Sequence, residues 1–325
     1  MASIQELKEE RISKIENIEA YPASSEVSIT LGDFVSRFNA EDKTVYTVAG
    51  RVMSMRSFGA LAFAKIFDGT TPVSGVQVVF EKDISEEAIN FLTEHIDVGD
   101  FIQVSGISYV TKKGESSILV SDIKLLSKAL LPLPDKHAGL QDEEEKMRKR
   151  YLDILLDDNK RDLFYKKAKF WQVVRSYLNE KGFLEVETPT LETTTGGAEA
   201  RPFKTHHNDY DIDMVLRIAL ELEHKILTAG GYERIYEIGK NFRNEGSDPT
   251  HIQEFTMIEW YAAYQTLETN IEWTEELLRS LATNVVGKTK FTVYDKEGNA
   301  NEVDFAGPWP RISFADLVKE FNDYR

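Results

Sequence analysis

Residues 241–261, NFRNEGSDPTHIQEFTMIEWY, decide how the second half of this chain folds. A run rich in β-branched and aromatic residues, Tyr232–Arg243, meets turn formers at Gly246, Ser247, Asp248 and Pro249, and a second run returns over Glu254–Tyr264. The pattern predicts a β-hairpin. Strand side chains alternate between faces, so Phe255, Met257, Glu259 and Tyr261 project together, while Thr256, Ile258 and Trp260 point the other way. On the first strand Arg243 and Glu245 are expected to share a face. One arginine, two carboxylates, an aromatic ring and a phenol in a row suit a small zwitterion beside a polyphosphate. A solvated antiparallel sheet face is the plainer alternative.

Upstream of the hairpin the sequence predicts a helix over 216–229, and downstream another over 268–287. Asp162–Lys181 reads as a long amphipathic helix stopped by Gly182, with a strand at Phe183–Glu187. From residue 44 to 128 the order is strand, strand, strand, helix, strand, strand. The strands are expected near 45–56, 61–68, 74–81, 100–110 and 116–126, with the helix DISEEAINFLTEHI capped by Asp83 or Ser85. Lys113-Gly114 makes the last turn. Five strands with a helix between the third and fourth match an OB-fold barrel. An amphipathic helix over 3–20 precedes it, ended by Tyr21-Pro22, and a proline-containing connector, LLPLPDKHAG, follows. The expected divisions are a lead-in (1–43), the barrel (44–128), a connector (129–150) and a second domain (151–325), in the α+β class.

At 325 residues the chain has room for two cores. Its 42% apolar content suits a globular protein, no apolar run reaches membrane-spanning length, and MASIQELKEERISKIE is charged helix rather than a signal peptide. There is no cysteine, which excludes disulfides and thiolate metal sites. A cytoplasmic location is the default expectation. A net charge of −16 argues against a nucleic-acid partner only at long range, because net charge does not report local patches. Basic residues do cluster at Lys146, Arg148, Lys149 and Arg150, and again at Lys160, Arg161, Lys166, Lys167 and Lys169. A solvated helix face and a phosphate contact both fit them.

FRNEG followed by EFTMIEWY resembles motif 2 of the class II aminoacyl-tRNA synthetases, in the form found in the bacterial type of lysyl-tRNA synthetase. KGFLEVETPTL, with Pro189, resembles motif 1. GGAEARPFKTHHN and LRIALELEHK resemble substrate-side segments, and GLQDEEEKMRKRYLDIL the stretch joining the two domains. The resemblance spans the whole chain. It implies an antiparallel catalytic sheet that activates lysine with ATP and Mg²⁺ and transfers it to tRNA(Lys), in a homodimer built through the motif 1 helix. By that resemblance Arg243 bridges the lysine carboxylate and the α-phosphate and is the catalytic residue. An ion pair with Glu237 or Glu245 is the structural alternative. Glu245, His251 and Phe255 join Arg243 in holding ATP, with Phe255 stacking the adenine. Glu259 and Tyr261 take the side-chain ammonium, Glu221 the α-amino group, and Gly197 allows close backbone approach.

In the barrel the resemblance assigns Phe63, Gln77 and Glu115 to reading the anticodon uridines, with Arg51 and Arg56 on phosphates. Leu220 stands where a proline is usual, Ile252-Gln253 where Asn-Pro is usual, and Ala60 where a polar or basic residue is common. The family continues to a motif 3 that is absent before Arg325. The chain therefore reads as an N-terminal portion with an incomplete catalytic domain, inactive alone. It is expected to hold no metal site, its Mg²⁺ ligands lying further on. Two other readings stay open: an aspartyl- or asparaginyl-type enzyme, and a non-catalytic OB-fold RNA-binding paralogue.

Overall fold

The computed structural model describes residues 3–134 and 140–323, so residues 135–139 of the expected connector lie outside the described residues. The chain divides into two compact units, residues 1–163 and 164–325.

The first unit opens with α1 (Ile4–Ser13), started by a capping box in which Ser3 Oγ accepts from Glu6 N (3.2 Å) and Glu6 returns the bond to Ser3 N (2.6 Å). The helix stops at Ser13 rather than continuing to residue 20. Beyond it the chain turns, and Ile15 and Ile18 pack against the barrel core. A short helix unforeseen in the sequence, α2 (Leu31–Ser36), is capped by Thr30 and buries Leu31 and Phe34. Strands β1 (Tyr46–Ser57), β2 (Leu61–Phe67) and β3 (Val76–Glu81) come next, then α3 (Glu86–His95), β4 (Phe101–Val110) and β5 (Ser116–Ser127). Ser85 caps α3. The strands close into a barrel in the order β1-β2-β3-β5-β4, as expected of an OB fold.

Alternation fills this barrel. Ala62, Ala64 and Ile66 of β2 point inward against Val48, Val78, Ile102, Val104 and Ile118, which leaves Phe63 and Lys65 on the outer surface. Two short helices, α4 (Glu143–Arg148) and α5 (Arg150–Leu156), lead to α6 (Asp158–Glu180), on which the division between the units falls.

The second unit contains β6 (Leu184–Glu185), β7 (Leu191–Glu192), β8 (Lys204–His207), β9 (Ile212–Leu216), α7 (Glu221–Ala229), β10 (Arg234–Phe242) and β11 (Glu254–Ala262). It continues through α8 (Leu267–Leu281), a π turn at Ala282–Val286, the exposed hairpin β12 (Lys290–Tyr294) and β13 (Ala300–Asp304), and α9 (Phe314–Asp323). The expected helix at 216–229 starts only at Glu221, because residues 212–216 are drawn into β9, which pairs with both β7 and β8. The strand expected over 183–187 shrinks to two residues beside β10.

The hairpin of β10 and β11 forms as expected but with shorter strands, β10 ending at Phe242 and β11 at Ala262. Its even-numbered side chains, Tyr236, Ile238, Ile258 and Trp260, pack on Val173, Val174 and Leu178 of α6 and on Leu277 and Leu281 of α8. Its odd-numbered side chains are therefore left on the opposite face. Among the described residues no helix is long and apolar enough to cross a membrane.

Candidate functional sites

Register fixes which side chains share the second face of the hairpin, on which Ile235, Glu237 and Asn241 of β10 are buried. Asn241 lies opposite Phe255, Gly239 opposite Met257, Glu237 opposite Glu259 and Ile235 opposite Tyr261. Arg243 follows β10 with its backbone N–H donating to Gln253 O (2.9 Å), which continues the same parity. Its guanidinium lies 5.2 Å from the Phe255 ring centroid, and its Nε donates to Ile218 O (3.3 Å). Arg243 and Glu259 thus project from one side of the sheet. Among the described residues Arg243 forms an ion pair with neither Glu237 nor Glu245. Glu245 is not on the strand but in the loop after it, where it accepts from Arg201 N (3.3 Å).

The two opposed glutamates differ in their partners. Glu237 is buried, paired with Arg217 (2.7 Å), and accepts from Thr188 Oγ1 (2.7 Å), with His224 Nε2 at 3.3 Å. Burial pushes its carboxyl up, but the bonds from His224 and Thr188 and the charge of Arg217 outweigh that and hold it below the usual carboxylate range. Glu259, partly buried, receives among the described residues only the Leu220 backbone N–H (3.3 Å) and the Tyr261 hydroxyl (3.4 Å). No cation among the described residues meets it. Burial, then the charges of Glu259 and Glu221, push the Tyr261 phenol up to about 12, so at neutral pH it is a donor. The His224 ring meets that of Tyr261 edge-on at 5.3 Å.

Gly197 has φ 81°, and a Cβ there would lie 2.9 Å from Glu221 Cβ and 3.1 Å from Ala219 Cβ. Glu221, in the first turn of α7, is paired with Lys225 (2.5 Å). His251 lies in the exposed hairpin loop with its Nδ1 2.7 Å from Asp248 Oδ2. Thr250, through its hydroxyl and backbone N–H, and then His251 bring Asp248 down to about 2. A cavity of about 550 Å³ runs along the free edge of β11, past Glu259, Tyr261 and Trp260. Among the described residues no cluster of three or more His, Cys, Asp or Glu is arranged to hold a metal ion.

On the barrel a groove of about 600 Å³ gathers Phe63, Gln77, Glu115 and Arg56. Phe63 meets the exposed ring of Phe58 edge-on at 6.3 Å. Gln77 Nε2 donates to Ser117 Oγ (3.0 Å), and Glu115 is paired with Lys65. Arg51 is not among these groups. It pairs across strands with Phe67 and Phe101, and its guanidinium rests 4.5 Å from the Phe101 ring centroid, away from the groove.

Residues 142–325 match the family model of tRNA synthetases class II (D, K and N), and residues 46–126 match that of the OB-fold nucleic acid binding domain. The chain belongs to the class II tRNA synthetases. It is 42% identical over 328 residues to the lysine–tRNA ligase of Thermotoga sp. (strain RQ2), covering 98% of this chain and 64% of that protein. To the lysine–tRNA ligases of Clostridium tetani and Aeromonas hydrophila it is 45% and 46% identical, covering 87% and 85% of this chain and 54% and 53% of theirs. The chain spans between about half and just under two thirds of the length of these relatives.

For this class II synthetase chain, sequence reasoning missed Arg217, Thr188 and His224 as partners of Glu237. Parity counted back from Arg243 already puts Glu237 on the same face as Arg243, so that part of the signal was present. Thr188 and Arg217 are brought there only by tertiary structure. Phe58 and Lys65 were also passed over, although Lys65 lies two residues from Phe63 and so on the same face of β2.

Proposed function

We propose that this chain is the anticodon-reading and substrate-holding part of a lysine–tRNA ligase. The reaction is attack of the lysine carboxylate on the α-phosphorus of ATP, giving lysyl-adenylate and pyrophosphate, followed by transfer of the lysyl group to tRNA(Lys). Two anions must meet, so fixed positive charge lowers the barrier. Arg243 supplies a planar fork that bridges the carboxylate and the α-phosphate. One face of Phe255 already carries that guanidinium, which leaves the other for adenine. Glu245 and His251 line the loop side of the nucleotide. Gly197 lets the backbone approach the amino acid, and Glu221 exchanges Lys225 for the α-amino group. Mg²⁺ accompanies ATP as charge neutralisation on its phosphates.

One observation carries this reading. Glu259 is a partly buried carboxylate that no described cation neutralises, directly opposite a second carboxylate and on the side of the sheet that bears Arg243. A substrate ammonium would supply the counter-charge that this carboxylate lacks among the described residues. The same charge argues against an aspartate or asparagine pocket. The protein is further proposed to act as a cytoplasmic homodimer, with Phe63, Gln77, Glu115 and Arg56 of the barrel groove on the anticodon. Arg51, seated on Phe101, lies outside that set.

Lysine is expected to stabilise the second unit against urea, by about 2.7 kcal/mol at a hundredfold excess over its dissociation constant. Aspartate should not, and Glu259→Gln should abolish the effect. Equal stabilisation by aspartate, or none by lysine, would sink the assignment.

A further inference from the structure

Glu115 is not a bare carboxylate in the barrel groove. Its Oε1 is held by Lys65 Nζ, with the two side chains 43% and 30% exposed. Lys65 projects from the outer face of β2 and pairs across the sheet with Gln77 of β3. Gln77 in turn donates to Ser117 Oγ, and the Ser117 hydroxyl donates to the Glu115 carbonyl oxygen (3.1 Å). Lysine, glutamine and glutamate are thereby tied into one array. No hydrogen bond from a described residue reaches Glu115 Oε2 or Gln77 Oε1, and the ammonium keeps two further N–H groups. The groove lining holds four cations, Arg56, Lys65, Lys112 and Lys113, against Glu81 and Glu115, in a chain of net charge −16.

We propose that Lys65 is a specificity-determining residue of this groove, neutralising Glu115 so that a carboxylate reads a base edge without repelling the surrounding phosphates. The proposal rests on the reading that the groove binds RNA. The ammonium does two things at once, because its donors are independent. One holds Glu115, and the others offer a donor beside the carboxylate's acceptor. A uracil presents a ring N–H flanked by two carbonyls, which complements an acceptor flanked by a donor. A cytosine puts a bare ring nitrogen, itself an acceptor, against the carboxylate. Without Lys65 the reader becomes a fixed negative charge facing a polyanion. Lys65 is therefore a condition for Glu115 to be useful.

The test uses the full chain and two synthetic anticodon stem-loops, one with three uridines and one with three cytidines at the anticodon, in titrations at fixed salt. Phe63→Ala reports on the groove itself, and loss of a stacking platform should weaken binding roughly five- to hundredfold. Lys65→Met is expected to weaken the uridine loop by about tenfold or more through uncompensated like charge, while Lys65→Arg keeps most of the affinity. In a Glu115→Gln background the same Lys65→Met change should cost no more than about threefold, since no anion remains to be neutralised. Glu115→Gln alone should erode the preference for uridine. Should Lys65→Met cost the same in both backgrounds, Lys65 is a plain phosphate contact and the proposal falls. It falls equally if Lys65→Met has no effect while Phe63→Ala does, and then the RNA-binding reading survives alone. If Phe63→Ala also has no effect, both are wrong.

Discussion

Glu237 and Glu259 are register partners, and like charges directly opposite one another on a sheet repel unless something takes up the charge. For Glu237 that is Arg217, with Thr188 and His224 completing its coordination. Because these partners hold its pKa below the ordinary value, the unfolded chain binds more protons than the native one in the acid range. The contribution of Glu237 to stability is therefore in place above about pH 4.3 and is lost as pH falls through its lowered native value. Glu237→Gln leaves the Arg217 guanidinium buried without a counter-charge, so it should destabilise the second unit by about 3–5 kcal/mol. It should also flatten the acid limb of a stability–pH profile. Urea midpoints read by tryptophan fluorescence between pH 7 and pH 3 measure both effects, and a variant that kept the parent's midpoint and acid slope would remove the network from this account.

At the scale of elements, α6 is divided in its surroundings. Val173, Val174 and Leu178 are core, but Leu163, Phe164, Tyr165 and Phe170 are exposed despite their size. Several large apolar side chains exposed along the first turns of a long helix suit an interface. We predict that sedimentation velocity finds a dimer and that Phe164→Asp converts it to a monomer with an unchanged fold. A parent that sediments as a monomer, or as a ladder of species beyond the dimer, would contradict this. The motif 1 helix was legible in the sequence because its period and its stop at Gly182 are both strong.

The barrel strands were legible for a related reason. Inward residues such as Val48, Val52, Ala62, Ala64 and Ile66 follow a period of two along β1 and β2, and turn residues bracket each run. Elements without such a signal were missed. Two helical turns in α2 are too short to show a period, KTHH in β8 has no apolar face, and β12 and β13 are largely exposed. In the candidate site, alternation placed Phe255, Glu259 and Tyr261 together correctly as geometry. It could not show that Glu245 leaves the strand, or that Arg51 turns onto Phe101, since both depend on where the strand ends or on a neighbour distant in sequence.

For the whole molecule the consequence is two cores of separate composition. One is the barrel interior, and the other joins α6 and α8 to the back of the hairpin. All four tryptophans, Trp171, Trp260, Trp273 and Trp309, fall in residues 164–325, so their fluorescence reports on the second unit alone, while far-ultraviolet circular dichroism reports on both. Two units with their own cores need not unfold together. Urea transitions followed by the two signals are therefore predicted not to coincide. Under the proposed function each ligand should move only one of them, by mass action on the unit that binds it. Lysine should shift the fluorescence transition. A uridine-rich stem-loop should shift only the part of the dichroism change that fluorescence does not see. A single coincident transition that both ligands displace equally would mean that the chain folds as one cooperative body.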